Sequence, residues 1–180
     1  MESFQKVLVR DPNNLAALVG MAGVYFVTHD ISNSLEYDLR AAKRDSRNPD
    51  AFSVVGYLDW ILVQDQSRPL PPAEKAARIA EGPACFDKAL ALDTTLADEM
   101  TFKSLLTLEK AKLTEDIDQV RQLTMQASQF ENQAVALREK YPQPFRGGDR
   151  IIRTPDGVVL LFAGPAVIAP SPRSRTYVIN

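Results

Sequence analysis

The chain has 180 residues, 45% of them apolar and 24% charged, which is ordinary for a folded globular protein and excludes disorder throughout. Its formal net charge of −2 supplies no general attraction for a phosphate backbone, so nucleic-acid binding would need a local basic patch. A single cysteine, Cys85, excludes an intramolecular disulfide and reads as a small packing side chain.

The first residues, Met1 to Lys6, lack the basic start and long apolar run of a secretory signal. No run reaches the ~18 apolar residues of a membrane span. The chain as given therefore reads as unexported, with a cytoplasmic location expected. Phe4, Val7 and Leu8 open it on an apolar helix face with no helix before it, so an odd cap or a fragment with a lost upstream helix is expected, and an export signal could have been lost with it.

In chain order, Asp11-Pro12-Asn13-Asn14 is a turn that starts a helix over 14–28 with Leu15, Leu18, Val19, Ala22, Tyr25 and Phe26 at helical spacing. A second helix is predicted over 32–44, with Leu35, Leu39 and Ala42 inward and Glu36, Arg40 and Lys43 outward. Asp45-Ser46-Arg47-Asn48 then echoes the first turn 34 residues later, and Pro49 opens a helix to Gln64. A fixed period of this kind marks a repeat architecture.

Between Asp65 and Gly82 the period is broken by an insertion of 14 residues, close to four turns at 3.6 per turn. Because 73–81 is rich in strong helix formers, the insertion is predicted to lengthen the outer helix of the second unit without rotating its buried face. Gly82-Pro83 should kink that helix. A further helix is predicted over 97–113, then Thr114 as an N-cap with Glu115 and Asp116 in the first turn of a helix ending at Lys140. That last helix places Val120, Leu123, Ala127, Phe130, Ala134 and Leu137 on one narrow seam.

Past Tyr141-Pro142 the pattern changes to strand, turn, strand: Arg150 to Arg153, Thr154-Pro155-Asp156-Gly157, Val158 to Phe162. Gly147-Gly148 reads as a linker, since it lacks the lysine of a phosphate loop. Residues 144–180 hold five arginines against Asp149 and Asp156, a local excess of three positive charges over a body carrying −5. A lone hairpin is marginal in water, so this tail needs another surface to rest on.

Within the period, Leu18, Met21-Ala22 and Tyr25 give a large residue, a large-small pair and an aromatic at three-residue steps. Phe52 and Val55-Gly56 repeat it, with Asp59 where the aromatic is expected and Trp60 after it, while Met100, Lys103-Ser104 and Thr107 keep only the spacing. The triplets Phe4, Val7, Pro12, then Asp38, Ala41, Ser46, then Phe86, Ala89, Thr94 recur in the second half of the unit.

These residues resemble the tetratricopeptide repeat over about residues 3–140. The resemblance implies an all-α solenoid of about three antiparallel helix pairs over 1–143, followed by a hairpin and proline-containing tail over 144–180. It also implies that the first helix of each unit lines a concave groove for a protein or peptide partner. On that register Val19, Gly23, Phe26 and Val27 from the first unit and Ser53, Tyr57, Trp60 and Ile61 from the second face the groove. Tyr57 and Trp60 read equally well as interhelical core or as exposed binding anchors. The lysines, arginines and asparagine that clamp a C-terminal carboxylate in some relatives are missing from those positions.

No catalytic constellation is legible. His29 falls in an interhelical turn, Glu115, Asp116 and Asp118 sit where a helix dipole favours carboxylates, and no cysteine-histidine cluster can hold zinc. The chain is therefore expected to be non-enzymatic, without cofactor or metal, binding no nucleic acid and spanning no membrane. A structural role in which the open first helix and the tail pack against other copies is the competing expectation, so homo-oligomers are in view.

Overall fold

The computed structural model describes residues 1–142 and, from the tail, the backbone of Asp149–Arg153 and Val159–Ala163. Seven helices follow one another in 1–142: α1 (Glu2–Arg10), α2 (Leu15–Val27), α3 (Ile31–Arg44), α4 (Pro49–Gln64), α5 (Pro72–Leu92), α6 (Ala97–Lys112) and α7 (Ile117–Lys140). Each packs on the next, giving the pairs α2/α3, α4/α5 and α6/α7, with α1 against α2. The last pair is antiparallel, because Arg138 near the end of α7 meets Asp98 at the start of α6, with Nη2 to Oδ1 at 3.1 Å. The fold of residues 1–142 is a helical repeat.

Local chemistry sets the helix boundaries. Asn14 and Asn48, at equivalent places in the two echoed turns, cap α2 and α4 by accepting from the amides of Ala17 and Asp50. Pro49 occupies the first turn of α4, where its missing amide costs nothing. Helix α2 ends differently. His29 adopts φ 59°, its amide bonds the Phe26 carbonyl, and the Asp30 amide bonds the Tyr25 carbonyl, a Schellman closure that needs a left-handed residue after the last turn.

Helix α7 begins later than the sequence suggests. The cap is Asp116, which accepts from the amides of Asp118 and Gln119. Thr114, expected in that role, instead donates its hydroxyl to the Lys110 carbonyl and closes the end of α6. A carboxylate two residues nearer the helix makes the better acceptor for two amides. The seam is as spaced: Leu123, Ala127 and Ala134 are buried, and Val120, Phe130 and Leu137 are half-buried.

The inserted segment forms the first part of α5, a single helix through Gly82 and Pro83. The 21-residue length brings Ile79 into the same core as Trp60, Phe86, Phe102 and Leu106. Glycine is required twice at this junction by close approach. A Cβ on Gly56 would stand 2.7 Å from the Phe86 ring, and one on Gly82 would collide with a Leu106 methyl.

In the tail, β1 (Asp149–Arg153) and β2 (Val159–Ala163) pair antiparallel, with Ile151 opposite Leu161. The Gly147-Gly148 linker, the Thr154–Gly157 turn and the run after Ala163 lie outside the described residues. No helix among the described residues is long and apolar enough to cross a membrane.

Candidate functional site

The side chains on α2 and α4 that the repeat register assigns to a groove divide by burial. Val19 is 1% exposed and packs with Leu18 and Ala41. Phe26 is 2% exposed in a separate cluster with Leu35, Leu58 and Leu62, and Gly23 is buried. Val27, at the end of α2, is exposed at 59%. On α4, Ser53, Tyr57 and Ile61 recur every four residues as one half-buried row.

Aromatic packing joins α4 to α6. Tyr57 stacks on Trp60 with ring centroids 6.1 Å apart. Phe102 meets both edge-on at 5.2 Å and stacks on Phe86 of α5 at 5.9 Å. Such geometry adds to the area each ring buries. Trp60 is 8% exposed, and its indole Nε1 is buried with no hydrogen-bond partner among the described residues. The Ser53 hydroxyl is in the same position. Structure thus brings Tyr57 and Trp60 together with Phe102, a residue that the repeat pattern did not single out because its aromatic falls outside the repeat's marked positions.

Below this layer lies a charged pair that sequence reasoning also missed. Asp59 is fully buried and accepts from Arg78 Nη1 at 3.1 Å, and the same nitrogen lies 3.0 Å from Glu81 Oε2. Burial pushes the Asp59 carboxyl up to about 7, against the opposing hydrogen bond and charge of Arg78. Its second oxygen and Arg78 Nε have no hydrogen-bond partner among the described residues. The legible signal was Asp59 in an aromatic slot, one insertion away from an arginine on a helix-forming segment.

Lys75, also in the insertion, reaches Glu109 of α6 at 3.9 Å, and Lys112 approaches the same carboxylate at 2.6 Å. Burial alone would raise Glu109, but hydrogen bonds from Lys112 and Gln64 and the charge of Lys75 hold it below the usual range. The insertion is therefore pinned to α4 through Arg78 and to α6 through Lys75.

These groups are poorly placed for catalysis. Cys85 is half-buried, and burial, with the Asp59 charge next, pushes its thiol up to about 11, which suppresses the thiolate. His29 is exposed in its turn, where its carbonyl accepts from Arg68 at 2.7 Å. Asp116 is occupied as a helix cap and Asp118 pairs with Arg121 at 3.3 Å. Among the described residues, no three His, Cys, Asp or Glu side chains gather as a metal site.

No protein-family model matches this chain, and no curated protein matches it. Among solved structures it is similar to a crystal structure of MamA, at 17% identity and a TM-score of 0.47 over 78% of this chain and 88% of that one. A second crystal structure, of MamA protein, is similar at 17% identity and a TM-score of 0.48, covering 80% of this chain and 85% of that one.

Proposed function

We propose that residues 1–143 form a tetratricopeptide-like interaction domain that binds an extended segment of a partner protein along the face presented by α2, α4 and α6, with residues 144–180 as an accessory tail. The observation that carries this reading is the row Ser53, Tyr57 and Ile61, partly open on α4 and backed by the Trp60–Phe102 packing. A rigid aromatic platform with one accessible edge is what a binding anchor requires. Val27 extends the apolar character to the end of α2. On this reading the chain is not an enzyme.

The test is selection of binding peptides from a displayed library against the intact chain, followed by Ile61→Arg and Tyr57→Ala. Both variants should weaken the selected peptides at least ~10-fold, about 1.4 kcal/mol, at a temperature where each is still folded, with the loss of packing on Trp60 and Phe102 read separately by thermal melting. Undiminished binding to both variants would place the site elsewhere. Trp60→Ala is a poorer probe, because emptying its cluster should cost about 3–5 kcal/mol of folding stability.

A self-assembly reading is favoured by a different observation. Val9 of α1 is 84% exposed and Ile117 of α7 is 76% exposed, so both ends of the helical array carry open apolar side chains. A molar mass that rises with protein concentration would support it, and a constant monomer mass would remove it.

A further inference from the structure

We propose that the tail docks in cis on α4, with β1 as the contacting strand, so that the face assigned to a partner is held by the chain's own tail until the partner displaces it. The displacement rests on the function proposed above, whereas the docking does not.

Three observations carry it. The backbone of β1 comes within 8 Å of α4, Cα to Cα, and α4 is the helix that bears the Ser53, Tyr57 and Ile61 row. Strand β1 pairs with β2 along one edge, and a two-stranded ribbon is marginal in water without a surface to cover it. Its other edge carries backbone donors and acceptors that β2 does not use.

Charge and reach agree with this placement. Residues 144–180 carry a net +3 and the remainder −5, so the tail is drawn to the body rather than repelled. From the end of α7, a path to α4 crosses α6, two helix spacings of roughly 10 Å each. Residues 141–148 span at most ~26 Å at ~3.3 Å each, which suffices. The implied competitor is an extended segment with apolar residues flanked by basic ones, as in Arg150-Ile151-Ile152-Arg153.

Paramagnetic relaxation in the full chain tests the docking without any partner. A nitroxide is placed on Asp149→Cys in a Cys85→Ser background, and the amides of α4 are observed. Signals from residues 53–61 should lose at least ~half their intensity, as expected for amides well inside ~20 Å, the span of two helix spacings. Adding Ile151→Asp and Ile152→Asp should restore them.

Unchanged α4 signals would overturn the proposal. Equal broadening when isotope-labelled chains without nitroxide are mixed with spin-labelled ones would overturn it in favour of docking on a second copy. Hydrogen exchange on the unmodified chain gives an independent check, since immediate exchange across 149–153 would also overturn it. If docking is found but no peptide binds even after the two isoleucine substitutions, the interaction reading fails and the docking stands.

Discussion

The first and second helix pairs occupy the same repeat register, yet their equivalent positions do opposite things. Tyr25 of α2 is half-buried and stacks on Tyr37 of α3 with ring centroids 5.6 Å apart. Its counterpart in α4, 34 residues on, is Asp59, fully buried against Arg78. The first pair closes with a short turn at His29, whereas the second continues α4 to Gln64 and adds the insertion before α5 reaches its usual place. Here the carboxylate in the aromatic slot meets a guanidinium that the inserted helical segment delivers, so the two departures from the first pair meet in one contact.

The largest expected way to expose this difference is pH. An acid whose folded value is raised from 3.8 to about 7 keeps a proton that the unfolded chain has released. Its contribution is complete below pH 3.8 and is lost as pH rises to about 7, a change of about 4 kcal/mol at 1.36 kcal/mol per unit. Glu109 acts in the opposite sense, its contribution being lost as pH falls below 4.5. From these two groups, urea denaturation should find maximum stability near about pH 4, declining to about pH 7 and level beyond it. Asp59→Asn should remove most of that decline, and an unchanged slope would assign it to other groups.

Next in size is Arg78→Leu. At pH 6 the Asp59 carboxyl is largely protonated, so the loss should be about 1 kcal/mol, the value of one hydrogen bond. At pH 9 the carboxylate would be left buried without its cation, and the loss should reach about 3 kcal/mol. A cost that does not grow between the two pH values would mean that Arg78 acts only through the packing of its stem.

The smallest expected effect lies in the first pair. His29→Gly should stabilise the chain by about 1 kcal/mol, because a left-handed conformation is strained for a residue with a Cβ. The comparison sharpens if this gain is independent of pH while the second pair's is not. A loss of stability would show that the imidazole makes a compensating contact.

How far the sequence could be read follows from the range of each interaction. The echoed turns, the six later helices and the helical insertion were legible because capping, periodicity and propensity act within a few residues. The boundary at α7 was misread by two residues, since Thr114 and Asp116 are both competent caps and only backbone geometry chooses between them. Among the groove candidates, Tyr57 and Trp60 were legible as aromatics at helical spacing, core or anchor, but their stacking and their meeting with Phe102 depended on side-chain packing and on α6 lying beside α4. The burial of Val19 and Phe26, against the half-exposure of Tyr57 and Ile61, was likewise invisible to a register that places all four on one face.

The sequence alone therefore determined the helical repeat, its period and the phase of the insertion, because these depend on contacts local to the chain. Only the tertiary structure decided that Asp59 meets Arg78, that Phe102 completes the aromatic layer, and which groove-register side chains remain open. Each of those outcomes depends on the spacing of helices far apart in sequence, and a carboxylate or a ring takes its chemical character from what that packing excludes or supplies.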